Sequence, residues 1–218
     1  MLDRFDVVVF DWDGTLSDST SAIARAIQDA AADLGLPVPD NATASHVIGL
    51  GLHEALARAV PTLPLDRIPE YSARYRTHYL AREAELVLFP GVRELIADLR
   101  EAGVLLAIAT GKSQRGLQRA LDSAGLGAEF AATRCADQTH PKPHPAMLLE
   151  IADELTVAPQ RMLMVGDTTH DLQMAEAANA PAVGLAQGAH PYEQLATCRR
   201  LALFDSLRQL HQWLMPNR

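Results

Sequence analysis

Val7-Val8-Val9-Phe10-Asp11-Trp12-Asp13-Gly14-Thr15-Leu16 is the stretch that decides the fold. The four apolar residues Val7 to Phe10 do not alternate with polar ones. That pattern predicts a strand buried on both faces, as at the centre of a parallel sheet. The strand breaks into a polar loop containing Gly14. The apolar run is bracketed by acids and is too short for a signal peptide or a membrane span. No later run approaches spanning length.

Outward from this strand the pattern divides in two. Between Asp18 and Glu85 the spacing predicts helices and no strand. Ile23, Ile27, Ala30 and Leu34 share one helix face, with Ser19, Thr20 or Ser21 as its cap and Gly35 as its stop. Ser45 to Val60 is helical but interrupted by Gly49 and Gly51, and Tyr71, Tyr75 and Tyr79 recur at helical spacing. The tyrosine stripe reads as packing within this helical unit.

After Phe89-Pro90-Gly91 strands and helices alternate. Strands are predicted at Val104–Ala109, Phe130–Thr133, Met162–Val165, Ala182–Leu185 and Leu201–Phe204, with helices between them. Such alternation implies an α/β fold: a Rossmann-like parallel sheet with helices on both faces. The all-helical stretch follows the first strand, so it reads as a small cap inserted into that fold. The expected division is a discontinuous core, residues 1–17 and 87–218, and a cap, residues 18–86.

Composition sets the outer bounds. The chain has 218 residues and 48% are hydrophobic, enough for a real core without staples. A net charge of −8 argues against a general nucleic-acid binder, which would carry a basic patch. It leaves room for a phosphorylated small molecule bound at a locally positive site. Cys135 and Cys198 show no metal-type spacing and suit a reducing cytoplasm.

Polar residues gather after several predicted strands, where open α/β sheets bind ligands. The clusters are Asp11 to Thr15, Thr110-Gly111-Lys112, Lys142 among prolines, and Gly166-Asp167-Thr168-Thr169-His170-Asp171. Singly, each has an ordinary reading as a turn, a cap or a solvated loop. Together and in order, they point to one site. Asp11, Asp13, Asp167 and Asp171 would converge there, which is costly unless a cation neutralises them. Hard oxygen donors favour Mg²⁺, which also binds phosphate. Lys142 and Thr110 would hold an anion, and the Gly111 amide would lie where a helix begins.

At these residues the chain resembles the haloacid dehalogenase superfamily, over nearly its whole length. Asp11-Trp12-Asp13-Gly14-Thr15-Leu16 resembles its first motif, Thr110-Gly111 the second, Lys142 the third, and Gly166 to Asp171 the fourth. The phosphoglycolate phosphatase-like branch is the nearest in look. The resemblance implies a phosphatase in which Asp11 is the nucleophile and Asp13 the acid and base. It implies Mg²⁺ held by Asp11, the main-chain carbonyl of Asp13 and Asp167, with Asp171 in support. Lys142 and Thr110 would orient the phosphoryl group.

Thr15, Gly111 and Lys112 join the expected phosphate and substrate contacts. Gly49 and Gly51 lie where a specificity loop of the cap would face the site, although they could equally be helix breaks. Trp12 departs from the commoner Leu or Phe and reads as packing. His140, His144 and His170 read as solvent-facing or capping. A sugar-phosphate mutase or a nucleotidase would share this fold, and a non-catalytic phospho-acceptor module is the alternative of another class. Asp13 counts against a dehalogenase and against a stable phospho-acceptor. Monomer and homodimer are both open.

Overall fold

The computed structural model describes residues 2–216. β1 is Val7–Phe10, followed by four helices: α1 Thr20–Asp33, α2 Asn41–His46, α3 Leu52–Ala59 and α4 Ile68–Glu83. Then come α5 Val92–Glu101, β2 Leu105–Thr110, α6 Gln114–Ala124, β3 Ala132–Cys135 and α7 Ala146–Glu154. The chain continues through β4 Met162–Gly166, α8 Thr169–Ala177, β5 Ala182–Leu185, α9 Tyr192–Leu195, β6 Ala202–Phe204 and α10 Leu207–Leu214.

The six strands form one sheet in the order β3-β2-β1-β4-β5-β6, and every pairing is parallel. All four β1 residues are fully buried, which explains the unbroken apolar run. Val8 and Phe10 join the layer that packs α5, α6 and α10 through Leu95, Leu117 and Leu207. Val7 and Val9 join the opposite layer, which packs α7 and α8 through Leu148 and Leu172. Trp12 packs in the first layer. The α1–α4 segment has a hydrophobic cluster of its own, including Ile27, Leu56 and Tyr71. The Tyr71 hydroxyl donates to the Ile27 carbonyl at 2.9 Å, so this tyrosine is core.

β2, β3, β4 and β6 shift by one or two residues from their sequence expectations. β2 runs on to Thr110, because its backbone pairs with Cys135 of β3. β3 begins at Ala132 for the same reason. Among the described residues no helix is long and apolar enough to cross a membrane.

Register fixes where the polar clusters meet. Phe10 pairs with Ile108 on one side and Val165 on the other. Asp11, Thr110 and Asp167, each within two residues of this register, therefore lie at one edge of the sheet. The strand order reverses at β1, which opens a crevice there.

Candidate active site

Asp11 continues the line of β1, and its N–H donates to the Val165 carbonyl at 2.9 Å. Its side chain is fully buried. Oδ1 lies 2.8 Å from the Lys142 ammonium, which also lies 2.6 Å from Asp171 Oδ1. Oδ2 of Asp11 is buried and has no hydrogen-bond partner among the described residues. Lys142 comes from the loop between β3 and α7 and is fully buried.

Asp167 and Asp171 are braced by their own neighbours. Asp171 Oδ2 accepts from the N–H of Thr168 at 3.0 Å and its hydroxyl at 2.7 Å, closing a capping box at the start of α8. Asp167 Oδ1 accepts from the Thr15 hydroxyl at 2.8 Å, and Oδ2 from the Ala189 N–H at 2.7 Å. Gly14 makes this approach feasible. Its φ is +81°, and a Cβ there would sit 2.1 Å from Asp167 Oδ2. A side chain at position 14 would be strained and would displace the carboxylate.

Oxygens of Asp11, Asp167 and Asp171 lie within 4.8 Å of one another. Burial pushes the Asp11 carboxyl up to about 7; Lys142 opposes the rise and the Asp171 charge adds to it. Asp167 is raised in the same direction, first by burial and then by its acidic neighbours. Burial alone would lower Lys142, but Asp11 and Asp171 outweigh it and hold the ammonium charged. Three hard oxygen donors, an orphaned buried carboxylate oxygen and an excess of negative charge fit a divalent cation. Asp13 sends its carboxylate elsewhere, so of the four expected metal acids only three have clustered side chains.

Asp13 instead accepts from the Ser19 hydroxyl at 2.7 Å, and both its oxygens lie 3.1 Å from the Lys112 ammonium. Ser19 stands at the α1 N-cap position but makes no capping hydrogen bond, having spent its hydroxyl on Asp13. Lys112 also donates to the Tyr79 hydroxyl at 2.8 Å.

The other expected contact residues have partners within the chain. Thr15, expected at the phosphate, serves Asp167. Lys112, expected at the substrate, serves Asp13 and Tyr79. Gly111 does not begin a helix, since α6 starts at Gln114 with Ser113 as its cap. A Cβ at Gly111 would lie 2.6 Å from the carbonyl oxygens of both Gly49 and Leu50, so the glycine admits the α2–α3 turn. Gly49 abuts Thr168 and Gly51 abuts Pro141, so both glycines sit against the sheet edge. Thr110 is buried at the end of β2, its hydroxyl accepting the Lys112 N–H at 3.3 Å.

His170 is buried rather than solvent-facing, and burial lowers its pKa. Its Nε2 and that of His190 each lie 3.0 Å from the carbonyl of His46 in α2. His190 also accepts the Thr169 N–H at Nδ1, so its Nε2 carries the proton given to His46. His140 and His144 are exposed. A groove of about 380 Å³ along the edge strand β3, between α6 and α7, is lined by none of Asp11, Asp13, Asp167 and Asp171.

Sequence reading missed Ser19, Tyr79, Gly188, Ala189 and His190 as parts of this site. Gln187-Gly188-Ala189-His190 follows β5 and meets the same criterion as the other polar clusters.

A family model described as haloacid dehalogenase-like hydrolase matches residues 8–185. The chain belongs to the haloacid dehalogenase-like hydrolase family. Within it, the chain is 36% identical over 211 residues to the probable phosphatase IndB of Dickeya dadantii, covering 94% of this chain and 91% of that protein. It is 35% identical over 196 residues to a phosphoglycolate phosphatase of Yersinia pseudotuberculosis, covering 87% of this chain and 84% of the relative. A crystal structure of a predicted phosphoglycolate phosphatase from Haemophilus somnus 129PT superposes with a TM-score of 0.84 at 25% identity, covering 99% of each chain. The fold of this haloacid dehalogenase-like hydrolase is thus shared along nearly all of the chain with a solved relative.

Proposed function

We propose that the chain is a Mg²⁺-dependent phosphatase of small phosphomonoesters, working through a phosphorylated Asp11. The observation that carries this is the buried, unpartnered Oδ2 of Asp11 beside Lys142, with Asp13 two residues on. Relatives named phosphatase and phosphoglycolate phosphatase support it, and a phosphoglycolate-like ester is the substrate class we favour. We further assign residues 18–86 as the cap that selects the substrate; their separate hydrophobic cluster supports the division. Two free cysteines suit a reducing cytoplasm.

Asp11 attacks phosphorus, an O–P bond to its carboxylate forms, and the ester P–O bond breaks. Asp13 gives its proton to the departing alcohol oxygen. In the second half, Asp13 takes a proton from water as the water attacks phosphorus. The bond to Asp11 then breaks and inorganic phosphate leaves. Lys142, held between Asp11 and Asp171, offsets charge on the phosphoryl oxygens. Asp11, Asp167 and the Asp13 carbonyl would hold Mg²⁺, with Asp171 in support, and the ion would supply further charge neutralisation at the phosphoryl group.

Asp11→Asn should abolish turnover of p-nitrophenyl phosphate while leaving the circular-dichroism spectrum unchanged. Chelator should remove wild-type activity, and Mg²⁺ should restore it. Retained turnover in the variant would sink the nucleophile assignment.

A further inference from the structure

Asp13 is held from two sides. Ser19 donates to Oδ1 at 2.7 Å, and the Lys112 ammonium sits 3.1 Å from both oxygens. An ammonium has three hydrogens to give. Those of Lys112 are directed at Asp13 and at the Tyr79 hydroxyl, 2.8 Å away. The Lys112 side chain is 8% exposed and that of Asp13 10%, so water has little access to either. In this arrangement Lys112 has no donor left for a substrate.

The chain Tyr79–Lys112–Asp13 also crosses from the α1–α4 cluster to the sheet. Tyr79 lies on α4, within the helical cluster, whereas Lys112 follows β2 of the sheet. Neighbouring contacts join the same elements. Glu83, one turn beyond Tyr79, receives Arg119 of α6 at 3.1 Å from both Nε and Nη2. The carbonyls of Gly49 and Leu50 pack on Gly111, the residue before Lys112. A lysine stem is long and flexible, so an ammonium left with one partner would wander and would hold Asp13 poorly.

We propose that Lys112 is a positioning residue for Asp13, and that Tyr79 fixes Lys112, so that Asp13 is correctly aimed only when α4 is seated on the sheet edge. The inference rests on the phosphatase reading, in which Asp13 gives a proton to the departing oxygen as the P–O bond breaks. A poor leaving group needs that proton and a good one does not. Loss of aim is therefore read as increased sensitivity to the leaving group.

The test compares wild type, Tyr79→Phe and Lys112→Met in Mg²⁺ on a series of substituted phenyl phosphates. The phenols run from p-nitrophenol to p-methoxyphenol, so size changes little while leaving ability changes greatly. Values of kcat/KM report the half-reaction in which the phenol departs. Both variants should steepen the dependence of log kcat/KM on phenol pKa, with about tenfold more loss at the slow-leaving end than at the fast end. Tyr79→Phe retains the ring that stacks on Tyr75, at 5.8 Å between centroids, and decides the matter if Lys112→Met fails to fold. Parallel lines, in which every ester slows equally, or unchanged lines would overturn the inference while the phosphatase reading stands. A wild-type protein inert toward every ester would overturn both.

Discussion

Neutralising Asp11 should stabilise the metal-free protein at alkaline pH. Burial lifts this carboxyl from its ordinary 3.8 to about 7, even though Lys142 pulls the other way. The folded site therefore prefers the protonated acid. Below pH 4 both the folded and the unfolded chain carry it neutral. As pH rises from about 4 to 7 the unfolded chain releases the proton first, so stability falls. Above the folded pKa the loss is complete, and a shift of this size corresponds to about 4 kcal/mol. Asn imitates the neutral carboxyl at every pH. Asp11→Asn should match wild type near pH 4 and exceed it by up to about 4 kcal/mol at pH 8. Asp167 is raised in the same direction, partly by the Asp11 charge itself, so the difference reads Asp11 together with its relief of Asp167. The assay is urea unfolding at stepped pH in chelator, followed by circular dichroism. Adding Mg²⁺ should then favour wild type, by about 2.7 kcal/mol at a hundred times its Kd. A variant less stable than wild type at pH 8 in chelator, or a difference that ignores pH, would refute the reasoning.

Three further outcomes follow from the same geometry. Lys142→Met leaves Asp11 and Asp171 buried without their shared cation, and should cost about 3–5 kcal/mol at pH 8 in chelator, read by urea midpoint. Gly111→Ala places a Cβ 2.6 Å from two carbonyl oxygens. It should cost about 1–3 kcal/mol and lower turnover; a wild-type melting temperature would refute the contact. His190 is pressed down by burial to about 4, so its contribution is present above pH 6.5 and lost as pH falls toward 4. That loss of about 3 kcal/mol should be absent in His190→Gln, and equal acid sensitivity of the two proteins would count against it.

The fold was legible because burial writes itself into hydrophobic pattern. Val7 to Phe10 do not alternate, and both faces of β1 are covered. The helical insertion was legible for the complementary reason: its apolar residues recur at helical spacing and close on one another. The acids were legible because each follows a strand, and a parallel sheet brings strand ends to one edge whatever the loops do. That rule places Asp11, Asp167 and Asp171 near each other, but it does not set the direction of Asp13. Its carboxylate turns to Ser19 and Lys112, and nothing in the spacing of Asp-Trp-Asp distinguishes that direction from the other.

What stayed hidden includes those contacts seating α1–α4 on the sheet that run through main-chain atoms. His46 contributes its carbonyl, to which the ring nitrogens of His170 and His190 both point. Gly49 and Leu50 contribute carbonyls against Gly111. Every residue type carries the carbonyl, so no sequence pattern reports which are used. Glycine is the partial exception, because it marks where something must come close without saying what. At Gly111 the neighbour is the α2–α3 turn, and at Gly14 it is the Asp167 carboxylate. Tyr79 illustrates the other limit. Its spacing with Tyr71 and Tyr75 signals a buried helix face, and its ring is indeed buried. Its hydroxyl nevertheless extends past that cluster to Lys112, so one side chain serves the helical core with its ring and Asp13 with its tip.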